Sequence, residues 1–265
     1  MTTTTHHTRW SLEDLLPGGP EELETALTAL EAGLQQVEAF RPRLSADLAV
    51  DEFLDLLQAH ENLVEQAHIL GAFAFLTYAE DTQNPAALSL RDRIDQILAE
   101  VENRALFVSL WIKSLSDDDA ERYVGAAGDL SYYIESLRRF KPFTLSEPEE
   151  KIINLKDVTG SEGLVRIYEI LTNGFQFKLK VDGELKTLTR DGLTQYYRHP
   201  SADVRAATYQ ELYRVYGEYK NVLAQIYAFL VRDWYSEQVK LRGYTSPISV
   251  RNLSNDLPDA VVDTL

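Results

Sequence analysis

Apolar residues recur three or four positions apart through most of the chain, the period of helices that bury one face. The longest such register spans 201–242, where Val204, Thr208, Leu212, Val215, Tyr219, Val222, Ile226, Leu230 and Trp234 form one stripe. This spacing predicts a spine helix roughly 60 Å long at about 1.5 Å per residue. Ser201 would cap it, Gly243 would close it, and Gly217 marks the place for a bend.

Shorter stripes predict antiparallel helices ahead of the spine. One carries Leu23, Leu27, Leu30, Leu34 and Val37 and stops before Pro42; a second spans about 50–78 and ends in the small, apolar GAFAF run from Gly71. Asn84 and Pro85 open a third that continues to about 114, and a fourth runs from Leu130 to Phe140, ahead of Pro142. Residues 9–16 predict a short helical turn capped by Ser11 and anchored by Trp10. Ser146 and Glu149 form a capping box for a further helix, and the segment 164–171 repeats the pattern up to Gly174.

There the period falls to two. Phe175, Phe177, Leu179 and Val181 alternate with polar residues ahead of Asp182-Gly183, which predicts a β-hairpin at about 175–189. A two-residue turn would set Val181 opposite Glu184 and a three-residue loop would set it opposite Leu185; matching the apolar faces favours the longer loop. A short helix is expected at 193–198. A loop follows Pro247, and Pro258 opens a last helix with Val261, Val262 and Leu265. The sequence stops about two turns into that helix, which predicts an unpartnered apolar face and a polypeptide that is a fragment or pairs with another chain. The fold class is therefore mainly α, an antiparallel helical lobe with one long spine helix and a single hairpin. Its expected organisation is a disordered tail over 1–9, helical hairpins over 10–142, and a helix, hairpin and long-helix region over 143–265.

Hydrophobic residues make up 45% of the 265, enough to fill a core without a membrane-spanning run of about 20 apolar residues. The 42 acidic and 26 basic side chains leave a net charge of −16, which disfavours nucleic acid and anionic membrane surfaces as partners. Cysteine is absent, and the start lacks a basic-then-apolar leader pattern, so a cytoplasmic location is expected.

Candidate chemistry is sparse. His60-Glu61 begins like the HExxH zinc motif, but Val64 stands where the second imidazole is needed. His60 and His68 lie more than two turns apart on one helix, too far for one ion to bridge. Asp117, Asp118 and Asp119 behind Ser116 read as a capped, dipole-matched first turn rather than a cation site. No glycine-rich phosphate loop or GxSxG elbow occurs. The tyrosines at 196, 197, 209, 213, 216, 219, 227, 235 and 244 are an unusual concentration, some of which would present hydroxyls to a partner or cleft. No catalytic residue and no metal ligand is assigned in this chain.

The order of motifs carries a family resemblance. A Trp-Ser-Leu-Glu-Asp-Leu start is followed by LSEPEEKIINLKDVTG, FQFKLKVDGELKTLT, HPSADVRAATYQEL and KLRGYTSPISVRNLSNDLPDAVVDTL. In this order they resemble the amino-terminal half of oligoendopeptidase F and its relatives among the thimet oligopeptidase-type zinc metallopeptidases. The resemblance implies a helical lobe forming one wall of a channel in a cytoplasmic enzyme that cleaves short peptides. It also implies zinc in the full-length enzyme, held by an HExxH helix and a later glutamate outside this chain, so that residues 1–265 alone are inactive. A carboxy-terminal catalytic domain or a second copy would cover the open face. Arg205, Arg242, Gly243 and Tyr244 are the family-motif positions, with structural or channel-lining roles. The alternative is a free-standing helical module that binds peptides or proteins and has lost catalysis.

Overall fold

The structure, a computed structural model, describes residues 10–265; the tail expected over 1–9 lies outside them. The chain forms two compact units that divide between Leu155 and Lys156. The boundary expected from the sequence lies earlier, after residue 142.

The first unit is helical. It comprises α1 (Leu23–Glu38), α2 (Val50–Glu80), α3 (Pro85–Ala105), α4 (Phe107–Ser114), α5 (Asp117–Ala126) and α6 (Ser131–Arg139). The start of α7 (Glu147–Thr159) completes it. The stripe on α1 is buried at Leu23, Leu30, Leu34 and Val37, and α2 packs against α1, α3 and α5. Between α1 and α3 the Arg104 guanidinium forks onto Glu31 and Glu38 at 2.7–3.0 Å, which holds both carboxyls below their usual range.

Helix ends are satisfied as the sequence implies. The Asn84 side chain accepts from the Ala86 and Ala87 amides. Ser116 accepts from the Asp119 amide at 3.1 Å, and Arg138 bonds Asp117 at 2.6 Å. Arg138 and Lys141 also donate to the Leu115 carbonyl beyond α4, at 3.0 and 2.7 Å. In the capping box, Glu149 accepts from the Ser146 amide at 2.9 Å and its hydroxyl at 2.6 Å.

Two expectations here fail. The segment around Ser11 makes only a turn, with Leu12 accepting from the Leu15 and Leu16 amides, and Trp10 is 56% exposed, so it anchors nothing. The helix expected over 85–114 is split at Leu106 into α3 and α4.

The second unit contains the end of α7, α8 (Ser161–Asn173), β1 (Phe177–Val181), β2 (Glu184–Leu188) and α9 (Arg190–Thr194). α10 (Ala202–Glu218) and α11 (Lys220–Trp234) follow, then a π-helix (Tyr235–Leu241), α12 (Pro247–Ser254) and α13 (Asp259–Thr264). Phe175, Phe177, Leu179 and Val181 pack with Leu193 and Val215 into the unit's own core.

The hairpin closes with two residues, Val181 facing Glu184, so the longer loop is corrected. Asp182 and Gly183 both adopt positive φ, 52° and 85°, the mirror-image turn whose twist fits paired strands. That turn preference outweighs apolar matching. Lys186 takes the place opposite Leu179 and donates to the Tyr196 hydroxyl at 3.2 Å, while Leu185 is left exposed.

The spine carries one break: α10 and α11 meet at Tyr219, whose φ of −103° and ψ of 7° leave the helical region two residues beyond the bend expected at Gly217. Ser201 stands at the N-cap position without a capping side-chain bond. Along the expected stripe Thr208, Val215 and Ile226 are buried, but Tyr219 and Val222 are exposed. The loop expected after Pro247 is instead α12, capped by Ser246, which accepts from the Ser249 amide at 3.2 Å.

Leu34 is fully buried, so Leu34→Ala is expected to cost about 2–5 kcal/mol; Leu230→Ala, at a half-buried position, is expected to cost less than about 2 kcal/mol. Urea denaturation midpoints measure both. Equal losses would place the outer side of α11 in a core.

Candidate functional site

The four family-motif residues all lie in the second unit. Arg205 is on the first turn of α10, and its Nη1 donates to the carbonyls of His199 and Pro200 at 2.7 and 2.9 Å. It ties the preceding turn to the helix.

Arg242, Gly243 and Tyr244 end the run that starts with α11. The last turns widen into a π-helix, in which residues five apart share a side. The Arg242 amide reaches the Glu237 carbonyl at 2.9 Å, and Arg242 Nε bonds Glu237 Oε1 at 2.7 Å. One residue pair therefore closes the turn through both backbone and side chain. Gly243 takes φ of 81°, a left-handed conformation that costs glycine little. The chain then turns back, with the Tyr244 amide on the Gln238 carbonyl at 3.2 Å and the Tyr244 ring buried. Burial pushes the Tyr244 phenol above its ordinary range, against the opposing effect of Arg242.

Asp157, near the end of α7, sits in the same electrostatic neighbourhood. Burial and the carboxylates of Glu237 and Asp233 push its carboxyl up, while Arg242 and a 3.1 Å bond from the Ser161 hydroxyl oppose them. Sequence reasoning identified neither Asp157 nor Glu237. The five-residue spacing between Glu237 and Arg242 is a π-helical signal, legible only once a widened turn is considered.

The tyrosines separate by environment. Tyr216 and Tyr219 pack on Phe175, with ring centroids 5.2 and 4.5 Å away. Tyr197 and Tyr209 stack at 4.6 Å with planes 6° apart. Tyr213, Tyr227 and Tyr235 face outward, Tyr227 at 71% exposure. Along α11 and into the π-helix, Tyr227, Val231 and Tyr235 form one exposed stripe at four-residue spacing, and Val222 and Phe229 are exposed as well. This surface offers aromatic and aliphatic contact, without nucleophile or metal ligands.

Among the described residues no group of three or more His, Cys, Asp or Glu side chains could hold a metal ion. Nor is any helix among them long and apolar enough to cross a membrane.

Comparison with known proteins bears out the sequence resemblance. The family model described as Oligopeptidase F matches residues 111–177. Oligopeptidase PepF of Bacillus subtilis is 23% identical, over 97% of this chain and 38% of its own length. An oligoendopeptidase F homolog of Lactococcus lactis is 22% identical, over 92% of this chain and 41% of its own. The crystal structure of oligoendopeptidase-F from Enterococcus faecium superposes with a TM-score of 0.78 at 22% identity, over 92% of this chain and 49% of that one. A peptidase structure from Chlamydophila abortus, described as putative, gives 0.59 at 17% identity, over 96% of this chain and 43% of that one. The chain thus spans less than half the length of these relatives, and it is similar to the amino-terminal half of oligoendopeptidase F.

Because the Asp157 carboxyl is raised, its stabilising contribution is complete below its unfolded value and is lost as pH climbs through the folded one. Asp157→Asn is therefore expected to be more stable than the unaltered protein at neutral pH, with the difference closing toward about pH 3. Thermal melts across that range measure it. A difference that grew in acid would reverse the assignment.

Proposed function

We propose that this chain is the non-catalytic helical lobe of a zinc-dependent oligoendopeptidase, and that the whole protein hydrolyses short peptides in the cytoplasm. One observation carries the reading: sequence similarity runs through nearly all of this chain, yet accounts for only 38–41% of the oligopeptidases that share it. The activity of the whole protein then depends on residues beyond this stretch.

The described residues do not fit a zinc site. His60 and His68 are separated along α2 with Val64 between them, and no third ligand joins them. No hydrolytic step is therefore derived through this chain. Its contribution is shape and contact. α11 is apolar on more than one side and the Arg242-Gly243-Tyr244 turn is held fixed at its end, a stiff element for one wall of a peptide channel. The carboxy-terminal catalytic part is the occupant proposed for the exposed α11 stripe, because an apolar helix in water gains by being covered. Peptide contact through tyrosine hydroxyls would belong to the same wall.

Two measurements test this. The full-length protein is expected to contain zinc and cleave unfolded peptides of a few residues, whereas residues 1–265 expressed alone are expected to do neither. Peptide hydrolysis by the short form would overturn the reading. Tyr227→Ser with Val231→Ser should leave the melting temperature of residues 1–265 nearly unchanged but lower that of the full-length protein by several degrees, of the order expected for about 2 kcal/mol of lost apolar contact. Equal effects on both forms would mean that nothing beyond residue 265 covers the stripe.

A further inference from the structure

The hairpin has two edges, and they differ in cover. Val181 and Glu184 flank a two-residue turn and exchange backbone bonds, so antiparallel alternation makes Leu179 with Lys186 and Phe177 with Leu188 bonded pairs as well. Lys178 and Lys180 on β1, and Leu185 and Thr187 on β2, therefore turn their amides and carbonyls outward. The β1 edge bears this out: the Lys178 amide donates outside the hairpin, to Glu211 Oε1 of α10 at 2.7 Å, and α10 packs along that strand. The β2 edge has no such cover. Leu185 and Thr187 are exposed, and no bond joins their backbone groups to another described residue. The usual guards of an open edge are missing too: β2 contains no proline, no bulge interrupts its register with β1, and its one lysine, Lys186, turns onto the Tyr196 ring. The outward groups of Leu185 and Thr187 lie two residues apart, roughly 7 Å along a strand, which is the repeat of another extended backbone.

We propose that the β2 edge pairs with the backbone of an extended peptide, which joins the hairpin as a third strand. This rests on the reading that the whole protein acts on short peptides, and it makes their backbone, rather than particular side chains, the feature recognised at β2. The strand is five residues long, which suits a segment of a few residues, and backbone pairing accepts varied sequences. A second copy of the chain is the other strand-shaped occupant, and the −16 carried by each copy opposes that pairing.

Hydrogen exchange over 184–188 tests it, in the full-length protein titrated with the capped pentapeptide Thr-Val-Thr-Val-Thr, with EDTA present to stop metal-dependent cleavage. Exchange in that segment is expected to slow saturably, by at least about fivefold, and N-methylation of the peptide's three central amides should raise the half-protecting concentration at least about tenfold. Leu185→Pro removes one outward amide while sparing the bonds to β1, a substitution that an edge strand tolerates, and should raise that concentration about tenfold. Unchanged exchange over 184–188, or equal protection by the methylated peptide, would overturn the proposal. So would protection that grows with protein concentration in the absence of peptide, which would assign the edge to a second copy. Should Leu185→Pro fail to fold, the methylated peptide still decides. Failure here is separable from failure of the wider reading: a protein that hydrolyses peptides but leaves 184–188 unprotected loses the edge alone, whereas one protected there that hydrolyses nothing keeps the edge and loses the enzyme.

Discussion

A helix that is apolar on several sides must be covered on several sides, because each uncovered stripe keeps hydrocarbon in water. Two helices in this chain face that constraint and meet it differently. α2 is covered within its own unit, where α1, α3 and α5 bury Phe53, Leu56, Leu63, Leu70 and Phe73. α11 has α8 and the following π-helix as its main packing partners, and Ile226 is the residue it fully buries. The contrast lies between the two helices and not between the units, since the second unit packs a core of its own around Phe177 and Val215 while α11 keeps an exposed apolar stripe.

The end of that exposed run is also where backbone and charge are most tightly coupled. A continuing α-helix would put residues 237 and 241 on one side; the widened turn instead brings Glu237 to Arg242. The amide-to-carbonyl bond and the side-chain bond between them support the same geometry, and Gly243 allows the chain to reverse immediately. The Arg-Gly-Tyr motif therefore acts as a helix stop that buries Tyr244. The proposed channel wall would inherit its rigidity from this stop, since an element ending in a frayed turn could not hold a fixed edge.

Most of the helices were legible because capping and period agree. Asn84-Pro85, Ser116 with Asp119, and Ser146 with Glu149 all cap as their spacing implies. Where structure and sequence expectation differ, two local signals compete at one place. Matching apolar faces argued for a longer hairpin loop, but Asp-Gly has its own strong backbone preference and a lysine stem can stand in for an apolar partner. Continuity of the stripe from Val204 to Trp234 leaves the place of the bend undetermined, because an apolar register persists through a break in hydrogen bonding that falls at Tyr219 and not at Gly217. Ser246-Pro247 carries two signals at once, a turn and a capped helix start with proline in its first turn, and here the cap prevails. Of the family-motif residues, Arg205 donates to backbone carbonyls that no spacing rule reveals, whereas Arg242 meets Glu237 at a five-residue spacing that only a widened turn makes legible.

The same limit applies to chemistry. A zinc site announces itself by ligands at fixed spacing, and Val64 removes the one candidate. A contact surface announces itself only through exposure, which a stripe pattern cannot distinguish from burial: Val222 and Ile226 occupy neighbouring positions on one sequence stripe, and the first is half exposed while the second is buried. The helical period says that a residue belongs to an apolar face, and only packing says whether the chain itself supplies the covering. For α11 the chain's own packing leaves that stripe uncovered, and the catalytic part proposed above is the element that would cover it.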